Sequence, residues 1–294
     1  MPRPVFEDFI APARARPELW RLAVGIVLAV GIYLAFLAAV FIGLYLLVGQ
    51  ENTGLWMERV VDASSPTATL LLLLTFGGMA LGAIAAARLM HGRGPATLFG
   101  PRDRVLRDFL IAGGIVAGVL GASLVLWLWR FDPEPGLDFT LWLRFLPIAL
   151  LAILLQTGAE EMLFRGYAQQ QLAARFRSPL VWLILPSIVF GLVHFNPDGA
   201  GANAWIVVLS AGLFGLIAAD LTAATGSLGA AWGFHFANNC IALLVIATKG
   251  TIPGLALYRT PYEADDAGMV PALMLGDLVV VVIAWALVRL ALKR

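Results

Sequence analysis

Charged residues are scarce in this chain. Only 13% of its 294 residues are Asp, Glu, Lys or Arg, whereas 60% are hydrophobic. An ordinary soluble domain carries about a quarter charged residues, so water is not the main solvent of this protein. The net charge of +1 provides no basic stripe of the kind that nucleic-acid binding needs, which argues against a nucleic-acid partner.

Cysteine and lysine are almost absent. The single cysteine, Cys240, excludes an intrachain disulfide framework and a cysteine-based zinc cluster. Only two of the 20 basic residues are Lys, and the other 18 are Arg, which in a chain rich in Ala and Gly indicates a GC-rich bacterial source. The sequence contains no internal repeat, no low-complexity tract and no stretch long enough for a soluble domain between its apolar blocks.

Long apolar blocks are what the chain has instead, and each is close to the roughly 20 residues that cross a hydrocarbon core. The first block, from about Trp20, is far longer than the apolar part of a signal peptide, which is about 7–15 residues, so we expect it to be retained. The sequence predicts an all-α, polytopic membrane protein that forms a single integral membrane domain, 1–294, in the lipid bilayer. It has about eight transmembrane helices, at 20–48, 67–90, 108–130, 143–173, 179–196, 204–222, 225–247 and 270–291.

The distribution of Lys and Arg predicts the orientation of these spans. If the N-terminus is cytoplasmic, fourteen basic residues fall on the inner side and five on the outer side. Arg165, inside a span, completes the 20 of the sequence. We therefore expect an inner-membrane protein with both termini in the cytoplasm. The sequence predicts no oligomeric state.

The fourth apolar block contains three ionisable residues, Glu160, Glu161 and Arg165. Residues four apart share a helix face, so Glu161 can pair with Arg165 while Glu160 is turned about 100° away. Ionisable groups inside a membrane are costly and often mark function. A carboxylate left unpaired in a cavity suits a general base that takes a proton from water.

Two histidine motifs lie on later blocks. Phe190 and His194 are four residues apart in the fifth block, and His235 and Asn239 have the same spacing in the seventh. At a rise of 1.5 Å per residue, Glu160, His194 and His235 lie about 20, 22 and 15 Å from the cytoplasmic ends of their blocks. All three can therefore meet at one level, and the region 143–247 is the predicted catalytic core, in helices four to seven.

Taken together, the three motifs resemble the signature of a known family. Glu160-Glu161-x-x-x-Arg165, Phe190-x-x-x-His194 and His235-x-x-x-Asn239 are similar to the motifs of the CAAX prenyl protease and bacteriocin-processing family of intramembrane peptidases. The resemblance implies peptide-bond hydrolysis inside the membrane, on a peptide or membrane-protein substrate. Eukaryotic members act on prenylated C-termini, which a bacterial chain need not meet.

The resemblance also implies roles for these residues. Glu160 corresponds to the glutamate that activates water, and His194, His235 and Asn239 correspond to residues around the attacked carbonyl. Glu161, Arg165 and Phe190 would support them. Neutral histidines can orient the water, and the Asn239 amide can donate to the oxyanion.

A metal is the open alternative at this site. Glu160, His194 and His235 have the composition of a zinc site with an open position, and zinc would supply hydroxide near neutral pH. The family is described as metalloproteases, but a metal-free glutamate mechanism is also argued for it. Both mechanisms stay open at this point.

Other functions and other polar residues are also possible from the sequence. A transporter would use the same glutamates and histidines as a proton or ion relay, although the duplicated halves expected of one are not found. A non-catalytic immunity or scaffold protein would keep the fold and bind a peptide. Asp220 and Asp277 are predicted to be structural, as helix caps, hydrogen-bonding groups between helices or protonated core groups.

Small residues spaced four apart predict close helix packing. The two pairs are Gly114 with Gly118 and Gly229 with Gly233.

Overall fold

The computed structural model describes residues 4–293, and the protein is 79% helical. Eleven helices occur in this part of the chain: α1 (Pro4–Ile10), α2 (Leu19–Val48), α3 (Gln50–Val61), α4 (Pro66–His91), α5 (Ala96–Phe99), α6 (Arg102–Leu128), α7 (Phe139–Arg175), α8 (Leu180–Leu192), α9 (Pro197–Thr225), α10 (Gly229–Cys240) and α11 (Val270–Ala291). Single 3₁₀ turns follow α1 (Ala11–Ala15) and interrupt α9 (Gly201–Asn203).

Six of these helices, α2, α4, α6, α7, α9 and α11, are long and apolar enough to cross a membrane. The prediction of a multi-pass membrane protein is confirmed, but the count of about eight spans is not. The other two predicted spans, 179–196 and 225–247, correspond to the shorter helices α8 and α10. Helix α8 ends before a turn at Val193 and His194. A π-helical segment, Ile241–Val245, follows α10 and gives way to an extended strand at Ile246.

A small sheet was not predicted from the sequence, so the chain is not entirely α-helical. Its strands are β1 (Glu134–Pro135), β2 (Ile246–Lys249) and β3 (Tyr258–Glu263), in the order β1-β3-β2. Strand β3 pairs antiparallel with β1 and parallel with β2. The sheet joins the segments that follow α6 and α10, and a 2.5 Å ion pair between Lys249 and Glu134 ties its two outer strands together.

Apolar side chains cover much of the outer surface. On α2 and α9, for example, Leu47 and Leu209 are 86% and 69% exposed. Soluble monomers rarely expose large contiguous apolar patches. An apolar exterior is what a helix bundle in a bilayer requires, because lipid tails are then its solvent.

Helix α10 packs against α6, α7 and α9, and glycine allows the closest of these contacts. A Cβ added at Gly229 or Gly233 would lie 2.3 or 2.2 Å from a backbone carbonyl oxygen of α6, that of Val105 or Phe109. The predicted close packing is therefore confirmed for this pair. It is wrong for Gly114 and Gly118, where an added Cβ would meet nothing within 4 Å.

Helix α7 carries a π-helical segment, Met162–Gln169, directly after Glu161. Such wider turns are rare and are frequent at functional sites. Before this segment, α7 contacts α10 closely. A Cβ at Gly158 would lie 2.9 Å from the Trp232 ring, and the Trp232 indole N–H donates to Thr157 Oγ1 over 3.2 Å. These contacts bring the glutamates of α7 beside the histidine of α10.

Candidate active site

Glu161 is the completely buried member of the glutamate pair. Its Oε1 accepts a hydrogen bond of 2.9 Å from Arg165 Nη1, and the exposed fractions of the two side chains are 0% and 2%. Arg165 also donates through Nη2 to the carbonyl of Gly215 on α9, over 3.0 Å. The ion pair predicted from the i, i+4 spacing is therefore present, and it connects α7 to α9.

His235 is held by both glutamates. Its Nδ1 lies 2.8 Å from Glu161 Oε1, and its Nε2 lies 3.4 Å from Glu160 Oε2. An ionised carboxylate can only accept hydrogen bonds, so Nδ1 carries the proton and, in the neutral ring, Nε2 keeps its lone pair. Glu161 thus sets the orientation of His235, a link that the spacing of single motifs does not reveal.

Glu160 is 7% exposed, and its Oε2 makes no aligned hydrogen bond with any described residue, 4–293. Its neighbour across the site is the Nε2 atom of His235, 3.4 Å away. The structure therefore pairs Glu161 with Arg165 through Oε1 and leaves Glu160 facing His235 Nε2.

His194 lies in the turn after α8, and its ring is exposed. Its Nδ1 donates to the carbonyl oxygen of Phe190 over 2.7 Å. The Phe190 ring centre is 4.8 Å from that of His194 and 6.2 Å from that of His235, and the Arg165 guanidinium lies 4.7 Å from it. Phe190 therefore packs between the two histidines and the buried ion pair.

Asn239 follows His235 by one helical turn and belongs to a row of amides. Its Nδ2 donates to Gln156 Oε1 over 2.9 Å, and its Oδ1 accepts from Asn238 Nδ2 over 3.2 Å. Gln156 precedes Glu160 by four residues on α7 and is buried. Sequence reasoning missed Gln156, although its i, i+4 relation to Glu160 placed it on the same helix face.

These side chains line a common cavity of about 210 Å³. Its walls include the predicted residues Glu160, Phe190, His194, His235 and Asn239. Glu161 and Arg165 do not line it and instead support it from behind.

Two aspartates behave differently from each other. Asp220 Oδ2 accepts from Trp285 Nε1 over 2.8 Å and pairs with Arg289 over 2.9 Å, so its predicted structural role between helices is confirmed. Asp277, by contrast, lines the active-site cavity and is exposed. Asp277 makes no hydrogen bond with the described residues, 4–293, so the prediction of a cap or of a hydrogen bond between helices is wrong for it, and the protonated alternative stays a prediction.

The predicted zinc ligands are Glu160, His194 and His235. Glu160 and His235 approach to 3.4 Å, but among residues 4–293 no three His, Cys, Asp or Glu side chains form a group that could hold a metal ion. We therefore derive no step through zinc, and the zinc alternative stays a prediction.

Comparison with known proteins shows which family this site region resembles. Residues 141–241 match the family of type II CAAX prenyl endopeptidase Rce1-like proteins, and all seven residues of the three motifs lie within that segment. The predicted family resemblance is thereby confirmed. The chain is also 28% identical to the uncharacterized protein YyaK of Bacillus subtilis (strain 168) over 258 residues, which are 84% of each chain. No solved structure matches it.

Proposed function

We propose that this chain is an intramembrane endopeptidase in which Glu160 activates the attacking water. The observation that carries the proposal is the position of Glu160, buried on a cavity wall, 3.4 Å from His235 Nε2 and without an aligned partner among the described residues. The match to CAAX endopeptidase-like proteins over 141–241 supports the same reaction. The catalytic core is the segment 143–247.

The hydrogen bonds around the cavity give each group a role. Both histidines use Nδ1 to donate, His235 to Glu161 and His194 to Phe190. In its neutral form each ring then has Nε2 as its free nitrogen, which is an acceptor that can orient the O–H groups of a water molecule. Asn239 has one N–H committed to Gln156, and the second N–H of the same amide can donate to the substrate.

The reaction follows from these roles. The water oxygen bonds to the carbonyl carbon of the substrate while Glu160 takes one proton from the water. The carbonyl oxygen becomes an oxyanion that accepts a hydrogen bond from the Asn239 amide, an interaction worth about 3–4 kcal/mol where such donors have been removed. The C–N bond then breaks, and Glu160 delivers its proton to the amine that leaves.

The substrate is a peptide or a membrane-protein segment that reaches the cavity inside the bilayer. The excess of Arg on one side of the predicted spans supports an inner-membrane location with both termini in the cytoplasm. Reporter fusions at the two termini test this orientation.

The test of the function uses purified protein in liposomes. The probe is a mixture of synthetic peptides, each with an apolar segment of about 20 residues and varied flanking residues, and mass spectrometry detects the products. We expect cleavage by the wild type and a loss of about 100-fold or more in Glu160→Gln, since a general base contributes at least that factor. The control is Glu51→Gln, at an exposed position on α3, which should cleave normally.

Other outcomes would point to other functions. Full cleavage by Glu160→Gln would remove the proposal. Peptide binding without cleavage, equal in the wild type and Glu160→Gln, would indicate a non-catalytic binding protein, and proton-coupled uptake without cleavage would indicate a transporter. Metal analysis of the same preparation, with a chelator-treated cleavage assay, tests the zinc prediction.

A further inference from the structure

Asp277, on α11, borders two cavities. Its side chain lines the candidate active-site cavity and also a second, larger cavity of about 540 Å³. We call this second cavity the α6–α11 groove, because its walls include Leu120 and Trp127 on α6 and Val280 on α11. Asp277 therefore lies where the groove meets the active site.

The Asp277 carboxylate makes no hydrogen bond or ion pair with any described residue, 4–293. The comparison with Asp220, which pairs with Arg289 and Trp285, shows what a structural aspartate looks like in this protein. An unpaired carboxylate in a spanning helix is costly, and such residues usually mark a substrate or ion pathway.

The charged side chains of the active-site cavity at this junction are carboxylates, whereas Arg130 is among the lining residues of the α6–α11 groove. Glu160 and Asp277 are the two carboxylates of the active-site cavity, and no Lys or Arg from the described part of the chain is among its lining residues. The nearby Arg165 is already paired with Glu161. A cleft lined by one sign of charge with low-dielectric walls attracts a ligand of the opposite sign.

The register of Asp277 is fixed by the start of α11. Asn203 Nδ2 donates to the carbonyls of Ala264 and Asp266, both over 2.9 Å, which ties this start to α9. Asp277 follows Val270, the first residue of α11, by seven positions, which is a depth of about 10 Å.

We propose that Asp277 selects substrates that carry a cationic side chain between the cleaved bond and an apolar segment. The apolar segment of the substrate occupies the α6–α11 groove, and the Lys or Arg beside it pairs with Asp277 at the junction. The inference rests on the proposed peptidase function and names its substrate class.

The test compares three peptides that differ only at this position, with Lys, Leu or Glu. We expect the wild type to cleave the Lys peptide about 10- to 100-fold more efficiently, as kcat/KM, than the Glu peptide. Asp277→Asn should reduce the ratio to about 3-fold or less, and Asp277→Lys should reverse it. Asp103→Asn, at an exposed position on α6, is the matched control and should keep the wild-type ratio.

A second measurement separates this inference from the peptidase function. Binding of the same three peptides to Glu160→Gln, with and without Asp277→Asn, is measured by fluorescence anisotropy. A Lys preference that Asp277→Asn removes supports the role of Asp277 even if the wild type cleaves nothing. A ratio that Asp277→Asn leaves unchanged, in cleavage or in binding, would overturn it.

Discussion

Replacing each of the two adjacent glutamates, Glu160 and Glu161, by Gln should affect a different property of the protein. Glu161→Gln removes a charge from a side chain with no exposed surface, whereas Glu160→Gln removes one from a side chain that faces the cavity. We expect the first to lower the free energy of unfolding and the second to lower only the rate of cleavage.

The magnitude follows from the partners of Glu161. Its Oε1 accepts from Arg165 over 2.9 Å and lies 2.8 Å from His235 Nδ1. Without this charge, the buried Arg165 keeps the carbonyl of Gly215 but has lost its counter-ion. Removing one partner of a buried pair costs about 3–5 kcal/mol. Glu160 loses no aligned hydrogen bond with the described residues, so its substitution should cost about 1 kcal/mol or less.

The assay is reversible denaturant unfolding in detergent micelles, followed by circular dichroism, together with cleavage of the same peptides. A double variant, Glu161→Leu with Arg165→Met, provides the control. Replacing both members of a buried pair by apolar residues is often neutral or stabilising, so stability should recover. Cleavage should stay low, because His235 has still lost its orienting acceptor. Equal stability of Glu161→Gln and Glu160→Gln would refute the reasoning.

Two further predictions concern the contacts that position α10. Gln156→Leu removes the acceptor that holds the Asn239 amide, so we expect kcat to fall about 10-fold. The double variant Gln156→Leu with Asn239→Ala should have the same kcat as Asn239→Ala alone. Additive losses of kcat in the double variant would contradict this. Gly233→Ala places a Cβ 2.2 Å from the Phe109 carbonyl oxygen, so it should lower the free energy of unfolding by about 1–3 kcal/mol. At Gly118 an added Cβ meets nothing within 4 Å. Gly118→Ala should therefore leave the free energy of unfolding unchanged or raise it slightly.

The predictions from sequence succeeded where one helical turn contains the relevant contact. The i, i+4 spacing predicted the Glu161–Arg165 ion pair, and the Gly229 and Gly233 pattern predicted close packing. The spacing of motifs on three helices also predicted that Glu160, His194, His235 and Asn239 would line one cavity, and all four do. Their catalytic roles stay a prediction.

The failures involve contacts between distant segments. The bond from Glu161 to His235 joins residues 74 positions apart, and the position of Asp277 depends on how α11 lies against the cavity. Hydropathy gave the extent of α11 correctly, but it did not reveal that α8 is too short to count as a span or that Ile246 begins a strand. Strands of two to six residues carry too little periodicity to be recognised beside long apolar blocks.

The hydrogen bonds of His194 Nδ1 and His235 Nδ1 bear on the choice between hydrolysis and transport. A proton relay needs groups that exchange partners, yet His235 Nδ1 is held by Glu161 Oε1, the same atom that pairs with the buried Arg165. His194 Nδ1 is likewise fixed by a backbone carbonyl. One nitrogen of each ring is thus a structural anchor, and the other is available at the cavity. This arrangement suits a water molecule that must be held in one orientation, with Glu160 as the group that exchanges its proton, and it therefore favours hydrolysis.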